Sequence, residues 1–224
     1  MDVSGWNHAA GSSRDLEQRT PGPRWNTLVV MFHGYGSYEE DLMALSFALP
    51  QGYTYASVRA PQRAGMGFQW FPLAADLAFT TDAVVAAAEA VIEWLREESQ
   101  QHTHVFLLGF SQGMAMATTV ARHAPELVDA VVGMSGFVIP VAPDDAQAGF
   151  FQDERLRAEP LRMFWGRDPE DPVITSVLVD GTAEWANDHT ELTKIQYRGI
   201  GHGVCPEELA HIKEYLQAAV DATS

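Results

Sequence analysis

The feature that most restricts what this chain can fold into is the run Gly109-Phe110-Ser111-Gln112-Gly113. It follows the apolar residues Val105 to Leu108 and precedes the helix-compatible stretch Met114 to Arg122. A G-x-S-x-G run carries information in that setting, where a buried strand enters a sharp turn and leaves it as a helix. The flanking glycines leave space for a strained turn that lifts the serine hydroxyl above a sheet edge, and the helix aims its positive end at the same point. Ser111 is therefore a candidate nucleophile. Taken alone, the five residues also allow a glycine-flanked turn with an incidental serine.

The rest of the chain supplies the strands and helices that such a turn needs. Short apolar runs over Leu28 to Phe32, Tyr53 to Val58, His104 to Leu108, Ala130 to Met134, Leu161 to Trp165 and Thr193 to Tyr197 read as buried strands. From Asp82 to Glu97, the residues Val84, Val85, Ala88, Val91, Ile92 and Leu95 recur at helical spacing while Glu93, Arg96 and Glu97 fall elsewhere. A last helix starts at Pro206, carries Glu207 and Glu208 near its positive end, and repeats Leu209, Ile212, Leu216 and Val220. Strands that alternate with helices predict an α/β chain with a mainly parallel sheet and helices on both faces. At 224 residues, one domain over 25–224 is expected, with residues 1–24 as a tail or edge element rich in Gly, Ser and Pro.

Charge and cysteine content narrow the setting. The 14 Lys and Arg stand against 30 Asp and Glu, a formal charge of -16, which repels phosphate backbones and anionic lipid surfaces and argues against nucleic acid as a partner. A single cysteine, Cys205, excludes an intrachain disulfide and fits a reducing compartment, so a cytoplasmic location is expected. No basic start followed by an apolar run occurs in Met1 to Arg24, and no stretch approaches a membrane span.

A serine hydroxyl needs a base, and in a chain that presents its nucleophile on such a turn the base comes later. His202 lies in Arg198-Gly199-Ile200-Gly201-His202-Gly203, a flexible loop between the last candidate strand and the last helix. His33 precedes the nucleophile and reads as structural. The carboxylate that orients the imidazole belongs to the loop Gly166-Arg167-Asp168-Pro169-Glu170-Asp171-Pro172, which offers Asp168 and Asp171. Donors to a tetrahedral oxyanion would be the N–H of Gln112, by its position after the serine, and that of Tyr35 in His33-Gly34-Tyr35-Gly36, just beyond an earlier strand. His102 and His104 form an H-x-H pair with no close carboxylate or cysteine, which gives no metal site, and no cofactor is implied.

Together, His33-Gly34-Tyr35-Gly36 with Asp41-Leu42, the run from Gly109 through Ala117, Asp171-Pro172-Val173-Ile174, and Gly201-His202 resemble the phospholipase/carboxylesterase family, which includes acyl-protein thioesterases. The likeness spans Leu28 to Leu216. It implies the α/β-hydrolase fold, a triad of Ser111, Asp171 and His202, and an oxyanion hole from the N–H groups of Tyr35 and Gln112. Two features depart from the family pattern. Trp165 stands where the family carries a histidine, with Asp171 two residues further from Gly166, which keeps Asp168 as the alternative acid. The N-terminal region is also short of the family's opening hairpin, so one edge strand is expected to be missing.

The segment from Ala60 to Pro72 matches the family region that borders the active site. It either shapes an acyl pocket, with Trp70 and Phe71 touching substrate beside Met114, or tucks its aromatics into the core. No insertion is long enough for a lid domain, which predicts an open cleft. The resemblance implies a serine carboxylesterase acting on small esters through an acyl-enzyme. Acyl thioesters and lysophospholipids are the alternative substrates, and a silent ligand-binding relative is the reading from another class. The expected partner is a small-molecule ester, and the oligomeric state, a homodimer included, is open.

Overall fold

The computed structural model describes residues 26–74 and 77–222. The expected tail at 1–24 lies outside the described residues. Among the described residues six strands form one sheet in which every pairing is parallel: β1 (Thr27–Phe32), β2 (Thr54–Val58), β5 (His104–Phe110), β6 (Ala130–Met134), β7 (Leu161–Arg167) and β8 (Thr190–Gln196). Their order across the sheet is β2-β1-β5-β6-β7-β8, which puts β5 and β6 at the centre. A separate antiparallel hairpin joins β3 (Gln62–Ala64) to β4 (Gly67–Gln69). The helices are α1 (Glu39–Met43), α2 (Thr81–Glu98), α3 (Gln112–His123), α4 (Asp153–Ala158), α5 (Ser176–His189) and α6 (Pro206–Asp221).

Side chains alternate across each strand, and the two larger of three core clusters follow that alternation. Leu28, Val30, Phe32, Val105 and Leu107 pack with α2 and α3 residues such as Val84, Val91, Ala117 and Val120. Their neighbours Val29, Met31, Phe106, Leu108, Val132 and Phe164 pack on the opposite face with Leu42 of α1 and Ile212 and Leu216 of α6. Both faces of the sheet are therefore covered, which is why β1 and β5 read as unbroken apolar runs and not as alternating ones.

The α2 helix begins with the Thr80 side chain accepting a hydrogen bond from Ala83 N–H, and α6 begins with Cys205 Sγ accepting from Glu208 N–H, followed by Pro206. The sequence placed the last strand over Thr193–Tyr197, but β8 starts at Thr190. Its first residues are polar because β8 is an edge strand with most positions exposed, so no apolar run marks where it begins. None of the described helices is long and apolar enough to cross a membrane.

Candidate active site

The site begins with the turn between β5 and α3. Ser111 has φ 55° and ψ −119°, a conformation that is strained for a residue with a Cβ and costs about 1–3 kcal/mol. The surroundings hold it there: Ser111 N–H donates to the Met134 carbonyl at 2.9 Å, and its own carbonyl accepts from Met114 N–H at 3.0 Å. The two glycines of the motif are needed for close approach. A Cβ on Gly109 would collide with the Gly113 carbonyl, and one on Gly113 would collide with the Phe32 carbonyl. The turn can form only where β1, β5 and α3 meet without side chains between them.

The loop between β8 and α6 carries His202 over this turn. Gly199 (φ 84°) and Gly201 (φ 60°) take left-handed conformations that favour glycine. Two tethers fix the loop. Asp168 Oδ2 accepts from Gly201 N–H at 2.7 Å, and Ser135 Oγ donates to the Gly203 carbonyl at 2.8 Å. His202 Nε2 then stands 2.9 Å from Ser111 Oγ, and Nδ1 stands 2.9 Å from Asp171 Oδ2. The Phe110 ring lies against the imidazole with centroids 5.1 Å apart.

The two candidate carboxylates divide their work. Asp171, its side chain wholly occluded from solvent, accepts from Val173 N–H at 2.8 Å and Ile174 N–H at 3.3 Å through Oδ1, which leaves Oδ2 for His202. Asp168 accepts from Glu170 N–H at 2.9 Å through Oδ1 and spends Oδ2 on Gly201. The backbone donors of Glu170 and then Gly201 hold the Asp168 carboxyl below the usual aspartate range. The structure thus brings Asp171 to the imidazole and gives Asp168 to the loop that carries it.

On the other side of Ser111, the loop after β1 is fastened by His33, in the structural role expected of it, and by a Gln112 side-chain bridge that the sequence did not mark. His33 Nε2 accepts from Ala60 N–H at 3.1 Å, so Nδ1 is the protonated nitrogen and donates to the Gly34 carbonyl at 2.8 Å. Burial lowers the pKa of this ring and favours the neutral form that the pairing requires. Gln112 bridges to the neighbouring segment: its Oε1 accepts from Trp70 N–H at 3.0 Å and its Nε2 donates to the Phe71 carbonyl at 2.7 Å. Trp70 Nε1 donates to the His33 carbonyl at 2.8 Å. The β3–β4 hairpin adds Gly36 N–H to the Phe68 carbonyl at 2.8 Å and Phe68 N–H to the Ser37 carbonyl at 2.9 Å.

This network sets Gly34 beside the nucleophile, where a Cβ would come within 3.5 Å of Ser111 Cβ. Tyr35 and Gln112 flank that point, and among the described residues neither backbone N–H has an acceptor.

The expected pocket residues need correction. Trp70, Phe71 and Met114 are 1%, 0% and 0% exposed, so they belong to the core and present no surface to a substrate. The apolar side chains that do emerge are Tyr35, Met66, Val173 and Val177, together with Phe47 away from this network. Sequence reading also missed Ser135, whose φ of 44° ends β6 and points its hydroxyl at the histidine loop. Only the glycine that follows it hinted at a turn.

A strained serine turn at the carboxyl end of a parallel sheet, with a histidine from the loop after the last strand and an acid from the loop before it, defines the α/β-hydrolase fold. The chain belongs to the Phospholipase/Carboxylesterase family, whose model matches residues 19–220. Solved structures agree in fold. A Bacillus cereus carboxylesterase superposes with a TM-score of 0.72 at 18% identity, covering 88% of this chain and 90% of that one. Arabidopsis thaliana SOBER1 does so with 0.72 at 18%, covering 87% and 99%. Esterase PE8 does so with 0.67 at 25%, covering 87% and 93%. No curated protein matches the chain by sequence.

Proposed function

We propose that this chain is a serine carboxylesterase that hydrolyses small carboxylic esters through an acyl-enzyme. The observation that carries this reading is the continuous relay of Ser111 Oγ, His202 Nε2, His202 Nδ1 and Asp171 Oδ2, with both hydrogen-bond contacts at 2.9 Å. A base within that distance can take the hydroxyl proton as the oxygen attacks, and a carboxylate on the far nitrogen fixes the tautomer and stabilises the imidazolium.

Attack by Ser111 Oγ on the ester carbonyl forms the new C–O bond and moves the proton to His202 Nε2. The tetrahedral oxygen takes the negative charge and is met by the N–H groups of Tyr35 and Gln112. Collapse breaks the bond to the alkoxy group, which leaves as alcohol with the proton from His202. Water, deprotonated by the same nitrogen, then attacks the acyl-serine; collapse breaks the bond from Ser111 Oγ to the acyl carbon, releases the acid and returns the proton from His202 to Ser111 Oγ. Asp171 stays ionised throughout.

The names of two similar structures, the Bacillus cereus carboxylesterase and esterase PE8, support ester hydrolysis. One cysteine and a strongly acidic composition fit a cytoplasmic enzyme with a small-molecule partner. The test is hydrolysis of p-nitrophenyl esters from acetate to palmitate, with a matched thioester. The proposal predicts turnover that falls beyond short chains and is abolished in Ser111→Ala. Activity that survives in that variant would overturn it, and a preference for long chains or the thioester would replace the substrate class.

A further inference from the structure

Among the described residues two arginines are buried, Arg122 and Arg167, and they are treated in opposite ways. Arg122 is 1% exposed and fully partnered: its Nε donates to Asp153 Oδ1 at 2.8 Å, its Nη1 donates to the Ile139 carbonyl at 2.7 Å, and its Cζ lies 4.2 Å from the Phe151 ring centroid. Arg167 is 5% exposed, and among the described residues it makes no side-chain hydrogen bond and no ion pair within 4.0 Å. With most of the side chain packed away and no partner among the described residues, the Arg167 guanidinium is held in place with its donors free to meet an acceptor from outside.

The surroundings of Arg167 narrow what that acceptor can be. Arg167 is the last residue of β7, at the carboxyl end of the sheet, where ligands of open α/β sheets bind. Trp165 lies two residues back on the same face, and Lys194 of β8 is paired with Trp165 in register, so all three side chains leave one face of the sheet. Lys194 Nζ is 4.3 Å and Arg167 Cζ is 5.8 Å from the Trp165 ring centroid. Trp165 Nε1 is a buried donor with no acceptor among the described residues.

Asp171, Asp168 and Asp180 attract Arg167, and Asp180 also attracts Lys194. The first two already accept hydrogen bonds through both carboxylate oxygens, from Val173, Ile174 and His202 for Asp171 and from Glu170 and Gly201 for Asp168. Asp180 is exposed on α5 and stops short of ion-pair distance to either cation. Two neighbouring cations with no acceptor of their own match a small oxyanion.

We propose that Arg167 and Lys194, beside Trp165, form a binding site for a carboxylate or phosphate group at the carboxyl end of β7, one loop from the candidate triad acid. That group is either the charged end of a substrate or a free small anion. The test is calorimetric titration of inorganic phosphate and of acetate into the full chain at constant ionic strength. Saturable binding of at least one anion is expected, weakened about tenfold or more in Arg167→Met, a loss typical of a charge-assisted hydrogen bond. It should be partly restored in Arg167→Lys and strengthened in Asp180→Asn. Lys194→Met, at an exposed position, weakens binding without risk to folding.

Absence of saturable binding by either anion, or unchanged affinity in both Arg167→Met and Lys194→Met, would overturn the proposal. Hydrolysis of p-nitrophenyl butyrate in the same solutions separates the two sources. Competitive inhibition identifies the anion with a charged group of the substrate, and an unchanged KM identifies a free anion at a separate site. Both results uphold the site. Ser111→Ala should bind the anion as the unaltered chain does, so the titration stands even if the proposed hydrolysis fails.

Discussion

Replacing each loop carboxylate in turn separates the acid that serves the imidazole from the acid that serves the loop. Asp171→Asn puts an amide where Oδ1 now accepts two backbone N–H groups and Oδ2 faces His202 Nδ1 at 2.9 Å. The two backbone donors will claim the remaining amide oxygen, so the NH2 turns toward Nδ1. That nitrogen must then be the acceptor, the proton moves to Nε2, and the base is lost toward Ser111. In serine proteases the same change lowers kcat by about 10⁴, or about 5.5 kcal/mol of transition-state stabilisation. The same order of loss is expected here, with KM nearly unchanged.

Asp168→Asn keeps one acceptor and loses the other, so either the Glu170 or the Gly201 N–H goes unmatched. The histidine loop loosens, the melting temperature falls, and kcat drops by less than about tenfold, because the hydrogen bonds to His202 itself remain intact. The assay is kcat and KM on p-nitrophenyl butyrate, with the melting temperature of each variant read by circular dichroism. A crippled Asp168→Asn beside a near-normal Asp171→Asn would refute the division of labour and make Asp168 the acid.

Three other expectations follow from contacts away from this relay. Glu208 is wholly buried, and burial pushes its carboxyl up from 4.5 to about 7 against a weaker opposing pull from Cys205 N–H. Between those values the folded chain holds a proton that the unfolded chain has released. The Glu208 contribution to stability should therefore decline by up to about 3 kcal/mol as pH rises through that window, and Glu208→Gln should remove that contribution. Urea midpoints at pH 5 and pH 8 measure this, and an equal slope in both proteins would refute it. Gly67→Ala drives a Cβ into the Gly36 carbonyl. It should displace the loop that carries Tyr35 and lower kcat about tenfold or more with little change in KM, since an oxyanion donor acts mainly in the transition state. Arg122→Met strands the partly buried Asp153 carboxylate and should cost about 3 kcal/mol in the urea midpoint while leaving kcat nearly unchanged.

Much of the frame was legible in the chain, for physical reasons that differ by element. Parallel strands buried on both faces must be apolar throughout, so Leu28–Phe32 and Ala130–Met134 stood out directly. Ser111 was legible because its turn requires glycine at Gly109 and Gly113, where any Cβ would meet backbone. His202 was marked by Gly199 and Gly201, which take conformations that other residues avoid. The role of Asp168 was not legible, since two acids three residues apart in one loop look alike until the backbone decides which faces the imidazole. Trp70 and Phe71 misled because an aromatic beside a glycine-rich loop fits a pocket as well as a core. The Gln112 bridge was hidden for a related reason: its partners are the backbone groups of Trp70 and Phe71, which any residues would supply. The β3–β4 hairpin has three residues in each strand, too few for a periodic pattern to show.

The most direct test of the central claim is covalent trapping. A fluorophosphonate ester added to the full chain should label it at one equivalent, and peptide mass spectrometry should place the adduct on Ser111. Labelling should parallel the loss of p-nitrophenyl butyrate hydrolysis and be absent in Ser111→Ala. An adduct on another residue with Ser111 unmodified, or full hydrolysis by a chain already labelled at Ser111, would contradict the account.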